Sequence, residues 1–220
     1  LYFIMRYRSL GRSGLQVSEI GLGTMNFGWK TSETQAQSLT ECALDYGINL
    51  IDTSDSYGRG ESERIVGKIL RSSKKRSKVV LATKVYKKMG EDINDFGNTR
   101  RHIIQACDES LKRLKTEYID LYQIHFPQPE VSIDETLYAF DTLIKAGKII
   151  YGGTCNFEAW RCVEAYWTAR SLSKATFISE QTPYNLLDRS AEIETFPMAQ
   201  TYRLGLIVWS PLAEGILSGK

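Results

Sequence analysis

The stretch GLGTMNFG, residues 21–28, ends the first apolar run of the chain, and its reading separates two folds. A dinucleotide-binding open sheet carries G-x-G-x-x-G at this point, with glycines that let the backbone approach a pyrophosphate at a helix N-terminus. Gly21 and Gly23 fit that pattern, but the third glycine arrives late, as Gly28. GRGESERIVGKI, residues 58–69, is no phosphate loop either, because it lacks the glycine spacing and a Ser or Thr after Lys68. The doubly wound sheet therefore loses its main support.

Working outward, apolar β-branched runs alternate with amphipathic segments, the pattern of βα units around a parallel sheet. SEIGLGT (18–24) reads as a strand. A helix follows over 31–47, with Thr31 or Ser32 as N-cap, Leu39, Ala43 and Leu44 on its buried face, and Gly47 as its stop. NLIDTSD (49–55) precedes a helix over 61–73, and KVVLATKV (78–85) precedes one over 99–115 in which Ile103, Ile104, Cys107 and Leu111 share a face. YIDLYQIH, KIIYGGT, TFISEQTPYN and GLIVWSP continue the strands, with helices expected over 132–147, 158–173 and 191–203. The count is seven strands and six helices in one α/β domain, 1–220, with no linker to divide it. Polar residues close strand after strand: Asp52, Lys84, His125, Asn156, Gln181 and Trp209. A (β/α)8 barrel gathers its functional residues from the C-terminal ends of several strands, so the barrel is the better fit.

Composition narrows the function. The 220 residues are 42% hydrophobic and 25% charged, enough for a sizeable core. A net charge of +2 and a pI near 8.3 fall short of a nucleic-acid binder's footprint. No apolar run reaches the roughly 20 residues of a bilayer span and no secretory signal opens the chain, so the cytoplasm is the default compartment. Cys42, Cys107, Cys155 and Cys162 form no CxxC pair and read as reduced thiols, and no metal is assigned. LYFI, before Met5, is native or the residue of an expression tag, and enters no fold argument. The basic run RSSKKRSK (71–78) reads as a solvated loop, and His102 as a solvated helix residue.

Strands two to four are neighbours in a barrel, so Asp52, Lys84 and His125 converge at its mouth, and Tyr57 reaches in from the loop of INLIDTSDSYG (48–58). A free tyrosine titrates near ~10 and is a poor acid at neutral pH, but a neighbouring ammonium favours the phenolate. Lys84 supplies that charge, Asp52 holds Lys84, and His125 hydrogen-bonds the phenol or a substrate oxygen. Such an acid suits a reaction that builds negative charge on a carbonyl oxygen, of which hydride addition is one example.

These pieces resemble the aldo-keto reductases. The likeness is carried by LGRSGLQVSEIG, GLGTM, GINLIDTSDSYG, LATKV, YIDLYQIHFP, AGKIIYGGTCNF, EQTPYNLLDR and WSPLAEGILSGK, and the motif spacing is similar to the branch that includes potassium-channel β subunits and bacterial relatives. The resemblance implies a (β/α)8 barrel capped by an N-terminal β-hairpin, seven of its eight strands lying within this chain. It implies NADPH-dependent reduction of an aldehyde or ketone to the alcohol, with Asp52, Tyr57, Lys84 and His125 as catalytic tetrad and Tyr57 as general acid/base. NADP(H) would meet Asn156 and Gln181 through its carboxamide, Trp209 by stacking, and Ser210, Leu212 and Gly215 along its pyrophosphate. Thr24 and Met25 would line the site, and Cys155 stands where the family often has a serine. Family members continue past Lys220 into an eighth strand and the adenosine 2′-phosphate segment, so the chain is expected to be part of a longer protein or to carry a disordered tail. The expected partner is a small carbonyl substrate, with neither nucleic acid nor membrane, and a homo-oligomer is compatible. Two alternatives stand beside the reductase: a redox-sensing NADP(H)-binding module of slow turnover, as in channel β subunits, and a barrel aldolase using Lys84 as a Schiff-base lysine.

Overall fold

The computed structural model describes residues 4–219; Leu1 to Phe3, most of the LYFI segment, lie outside them. The chain opens with a two-stranded antiparallel hairpin, β1 (Tyr7–Ser9) and β2 (Gln16–Ser18), in which Arg8 stands opposite Val17. Seven parallel strands then form one sheet: β3 (Gly21–Gly23), β4 (Leu50–Asp52), β5 (Val80–Val85), β6 (Ile119–Ile124), β7 (Ile149–Cys155), β8 (Ser179–Pro183) and β9 (Gly205–Trp209). Their order across the sheet is their order in the chain. An open dinucleotide-binding sheet reverses its order at a switch point, whereas a barrel never does. The architecture is thus that of a (β/α)8 barrel, seven strands of which are present, with an N-terminal hairpin.

Six helices connect the strands: α1 (Glu33–Asp45), α2 (Glu61–Ser73), α3 (Arg100–Leu114), α4 (Ile133–Lys145), α5 (Ala159–Ser171) and α6 (Thr195–Tyr202). Ser32 caps α1 in a reciprocal capping box with Gln35, and Thr99 caps α3 by accepting from the His102 amide. Helix α1 buries Ala36, Thr40 and Ala43, with Leu44 packed partly against the core. Leu39 departs from expectation and is 49% exposed, because it falls at the margin of a face centred on Ala36, Thr40 and Ala43. On α3, Ile103 and Cys107 are fully buried with Ile104 and Leu111 beside them. None of the helices among the described residues is long and apolar enough to cross a membrane.

Strand alternation builds two cores. Outward residues such as Ile51, Leu81 and Val85 pack against the helices. The smaller inner core consists of Leu50, Val80, Ala82, Leu121 and Ile178, and the hairpin supplies Leu10 and Val17 to it. The hairpin therefore plugs the lower end of the sheet with apolar side chains. Above that plug the same alternation turns polar, since Asp52, Lys84 and Gln123 continue the inward rows begun by Leu50, Val80 and Leu121.

The helices also approach one another closely. A Cβ added at Gly67 of α2 would lie 2.5 Å from the carbonyl carbon and oxygen of Leu114 at the end of α3, a backbone that no rotamer change can move aside. Gly67→Ala is expected to destabilise the fold by the ~1–3 kcal/mol typical of overpacking. A lower urea midpoint at unchanged slope would register this loss, and an unchanged midpoint would show that α2 and α3 separate without cost.

Candidate active site at the strand ends

Lys84 is fully buried at the upper end of β5, and three oxygens surround its ammonium. Nζ donates to Asp52 Oδ2 at 2.5 Å, to the Thr53 carbonyl at 2.9 Å and to the Tyr57 hydroxyl at 3.3 Å. A buried charge requires such partners, since the effective cost of desolvating it is several kcal/mol. Burial alone would pull the lysine's pKa down; Asp52 and then Tyr57 reverse this and hold it above its ordinary value. The other Asp52 oxygen, Oδ1, accepts from Gln123 Nε2 at 3.2 Å and Gln181 Nε2 at 2.9 Å.

Tyr57 stands on a single 3-10 turn, Tyr57–Gly60, directly before α2. Gly58 (φ 57°) and Gly60 (φ 89°) take the left-handed conformation that turns the chain sharply between Tyr57 and α2. The ring lies over the Lys84 ammonium, 5.0 Å from centroid to Nζ, and meets the His125 ring edge-on at 5.9 Å. The phenol differs from expectation in one respect. Burial raises its pKa, and this outweighs the lowering by Lys84, so the net direction is upward. Tyr57 is held as a neutral phenol with a proton to give.

His125 follows β6, nearly buried, and its ring stacks on Phe126 at 4.7 Å. Its Nδ1 lies 3.2 Å from Ser54 Oγ. Burial, with Lys84 and Lys87 nearby, pushes its pKa down to about 3, so the imidazole is neutral. Asn156 joins three strand ends: its amide donates to the Gln181 carbonyl at 2.9 Å, Nδ2 donates to the His125 carbonyl at 3.1 Å, and Oδ1 accepts from Trp209 Nε1 at 3.1 Å. It does so at φ 61°, where asparagine is among the few tolerated side chains. Trp209 is 39% exposed at the end of β9.

The remaining candidates divide. Cys155 is buried, 3.7 Å from Gln181 Oε1, and burial pushes its thiol well up, which leaves it protonated and unreactive. Met25 and Leu212 are exposed. Ser210 (φ 53°) and Gly215 (φ 106°) lie on the tightly turned segment after β9, where the Ser210 carbonyl accepts from Asn185 Nδ2. Thr24 lies beneath the surface instead of lining it: fully buried, its hydroxyl donates to the Asp52 carbonyl and accepts from Ser62. His102 also differs, being 3% exposed with Nε2 unpartnered among the described residues, because α3 turns it inward.

Two residues of this site escaped the sequence reading. Gln123 holds Asp52, and its signal was the alternation of YIDLYQIH, which puts it on the inner row with Leu121. Glu180, next to Gln181, has no exposure; its Oε1 accepts from the Phe157 amide at 3.0 Å, pinning the loop that carries Asn156. With no cation beside it, burial pushes the Glu180 carboxyl up to about 8.

The family model described as "Aldo/keto reductase family" matches residues 19–220. An uncharacterized oxidoreductase, YrpG, of Bacillus subtilis (strain 168) is 43% identical over 98% of this chain and 69% of its own length. A probable voltage-gated potassium channel subunit beta of Oryza sativa subsp. japonica is 38% identical over 98% of this chain and 66% of its own. The aldo-keto reductase YhdN of Bacillus subtilis (strain 168) is 39% identical, with 98% and 65% covered. The chain thus spans about two thirds of the length of these relatives.

Glu180 gives the fold a pH dependence. Its folded pKa of about 8 stands above the ordinary 4.5, so the folded state binds the extra proton. Its contribution to stability is full below pH 4.5 and falls as pH rises towards 8, by at most about 1.4 kcal/mol per unit. Glu180→Gln should therefore gain stability relative to the parent between about pH 6 and pH 8, read from urea midpoints. A difference independent of pH would mean that Glu180 stays ionised when folded.

Proposed function

The chain belongs to the aldo/keto reductase family, and from that premise we propose that it is an NADPH-dependent oxidoreductase that reduces an aldehyde or ketone to the alcohol. The observation that carries this reading is the Lys84 ammonium, sealed at the mouth between the Asp52 carboxylate and the Tyr57 hydroxyl. Tyr57 is the general acid. As electron density builds on the carbonyl oxygen, its hydroxyl gives up a proton, and the phenolate that forms lies beside Lys84. Asp52 fixes the ammonium, and Gln123 and Gln181 fix Asp52. His125, neutral and edge-on to the Tyr57 ring, orients the carbonyl oxygen.

The side chains beside this tetrad fit a flat ring bearing a carboxamide. Cys155 and Gln181 are register partners on β7 and β8, which brings the amides of Asn156 and Gln181 to adjacent strand ends. Gln181 Nε2 is committed to Asp52, whereas Oε1 meets only the weak Cys155 thiol and can accept from a stronger donor. Trp209, bonded to Asn156, offers an exposed indole for stacking, and Ser210, Leu212 and Gly215 lie on the segment that would follow the pyrophosphate. When bound, the reduced nicotinamide supplies the hydride. Likeness to channel β subunits supports a second reading, in which the same site binds NADP(H) as a redox sensor and turns over slowly.

In the intact protein, Tyr57→Phe should retain NADPH binding and lose carbonyl reduction by the ~10²–10⁴-fold typical of a general acid. Wild-type turnover by that variant would remove Tyr57 from the reaction. Trp209→Ala should weaken NADPH binding by a stacking-sized term on the order of 1 kcal/mol, measured by calorimetry. Equal affinities would assign Trp209 to packing alone.

A further inference from the structure

Behind the tetrad, in the layer between sheet and helices, lies a second polar cluster that the proposed reaction does not use. Asp55, three residues after Asp52, has no exposure. Its Oδ1 lies 3.1 Å from Ser54 Oγ, and its Oδ2 has no hydrogen-bond partner among the described residues. Ser54 Oγ in turn lies 3.2 Å from His125 Nδ1. A carboxyl on the helix side is thereby joined to a ring at the mouth through one hydroxyl. Arg113 of α3, the cation that bears on Asp55, is committed elsewhere: it donates to Glu63 Oε2 at 2.6 Å and to Ser110, while Thr83 donates to Glu63 Oε1. Asp55 thus sits beside a carboxylate whose charge is already balanced.

We propose that Asp55 is a positioning residue that, through Ser54, sets which ring nitrogen of His125 carries the proton. A serine hydroxyl has one hydrogen, and this makes the chain directional. When Asp55 carries a proton it donates to Ser54 Oγ, and Ser54 donates to His125 Nδ1, so the ring's own proton resides on Nε2. When Asp55 is ionised, Ser54 donates to Oδ1, His125 Nδ1–H donates to Ser54, and Nε2 bears a lone pair. The two states differ by one proton. It leaves from Nε2 to solvent while the protons of Asp55 and Ser54 each move one place along the chain, and no co-reactant is needed.

The surroundings place this exchange within reach of neutral pH. Burial, with Glu63 close by, pushes the Asp55 carboxyl up to about 7. Arg113 acts in the opposite direction, and Tyr122 of β6, facing the same cluster, stays protonated because burial holds its phenol well above the ordinary value. Around the ring, Lys84 and Lys87 oppose an imidazolium, so His125 changes tautomer without changing charge. Ser56 is the competing partner, its amide donating to Ser54 Oγ at 3.3 Å and its hydroxyl lying 3.0 Å away. The coupling rests on geometry; its consequence rests on the reductase reading given above. Under that reading the Nε2–H form donates to a carbonyl oxygen, and the lone-pair form accepts from an alcohol hydroxyl.

The chain has two histidines, His102 and His125, so nitrogen-15 NMR of the histidine-labelled protein reads the tautomer directly. His102→Gln assigns the signals. The parent should show His125 protonated on Nε2 at about pH 5 and on Nδ1 at about pH 9. Asp55→Asn and Ser54→Ala should each hold one tautomer across that range, with folding checked by thermal melting. A parent ring that keeps one tautomer throughout would overturn the proposal without recourse to any variant, as would an exchange that persists at the same midpoint in Asp55→Asn. The measurement needs no turnover, so it stands apart from the Tyr57→Phe test.

Discussion

The pairing of Lys84 with Asp52 constrains nearly everything above the barrel's waist. A lysine with no solvent exposure survives as a cation only if oxygens replace its water, and here they come from the end of β4, from the carbonyl that follows it and from the loop beyond. That requirement fixes registers. β4 and β5 are aligned with Asp52 opposite Ala82, which puts Lys84 one inward position higher and lets its chain reach back. Lys84 itself is aligned with Gln123 of β6, and Gln123 reaches the second Asp52 oxygen. A one-residue slip of β5 would turn Lys84 into the helix layer among Ile65, Val66 and Ile103 and leave Asp52 facing two amides without a cation.

Buried carboxyls elsewhere meet the same constraint by different means. Glu63 is neutralised by Arg113 and hydrogen-bonded by Thr83, much as Asp52 is held by Lys84 and two glutamines. Glu180 and Asp55 have amide, hydroxyl or thiol neighbours but no cation of their own, and burial raises their pKa values to about 8 and about 7. The distinction has structural consequences. Paired carboxylates tie elements together by charge, whereas the protonated form of an unpaired one can donate as well as accept. Glu180 and Asp55 each lie directly behind a residue of the mouth, Asn156 and His125 respectively.

Much of this was legible in the sequence because a barrel's strand order equals its chain order. Once GLGTMNFG argued against the open sheet, polar residues ending consecutive strands had to converge, and Asp52, Tyr57, Lys84 and His125 do. What the sequence left hidden lies between layers. Leu39 and His102 depend on how far α1 and α3 are rotated about their axes, and a hydrophobic period resolves that only coarsely. Thr24 belongs to the right loop, but its hydroxyl turns towards Ser62 of α2, a contact set by packing. The Tyr57 phenol turned on magnitudes: the attraction of Lys84 was foreseeable from spacing, whereas the larger opposing effect of burial depends on how the strand ends pack around the ring.

The mouth is not equally settled around its rim. On the side of β4 to β6, Asp52 holds Lys84 and Gln123, Tyr57 is half-buried, and His125 is nearly buried. At the two edges of the sheet, Trp209 and Leu212 at the end of β9 and Met25 after β3 are exposed, and the backbone after Trp209 passes through left-handed conformations at Ser210, Ala213 and Glu214, only one of which is followed directly by a glycine. A left-handed alanine or glutamate is maintained only where surrounding contacts over-determine it. Charge and hydrogen bonds fix the atoms of the first side, and under the proposed reductase reading that fixity serves proton transfer. Under the proposed reductase reading, the flat nicotinamide ring would meet the side of Trp209. Asn156 connects the two: its Nδ2 donates to the His125 main-chain carbonyl and its Oδ1 accepts from Trp209 Nε1, so one side chain ties the end of β9 to the backbone that follows β6.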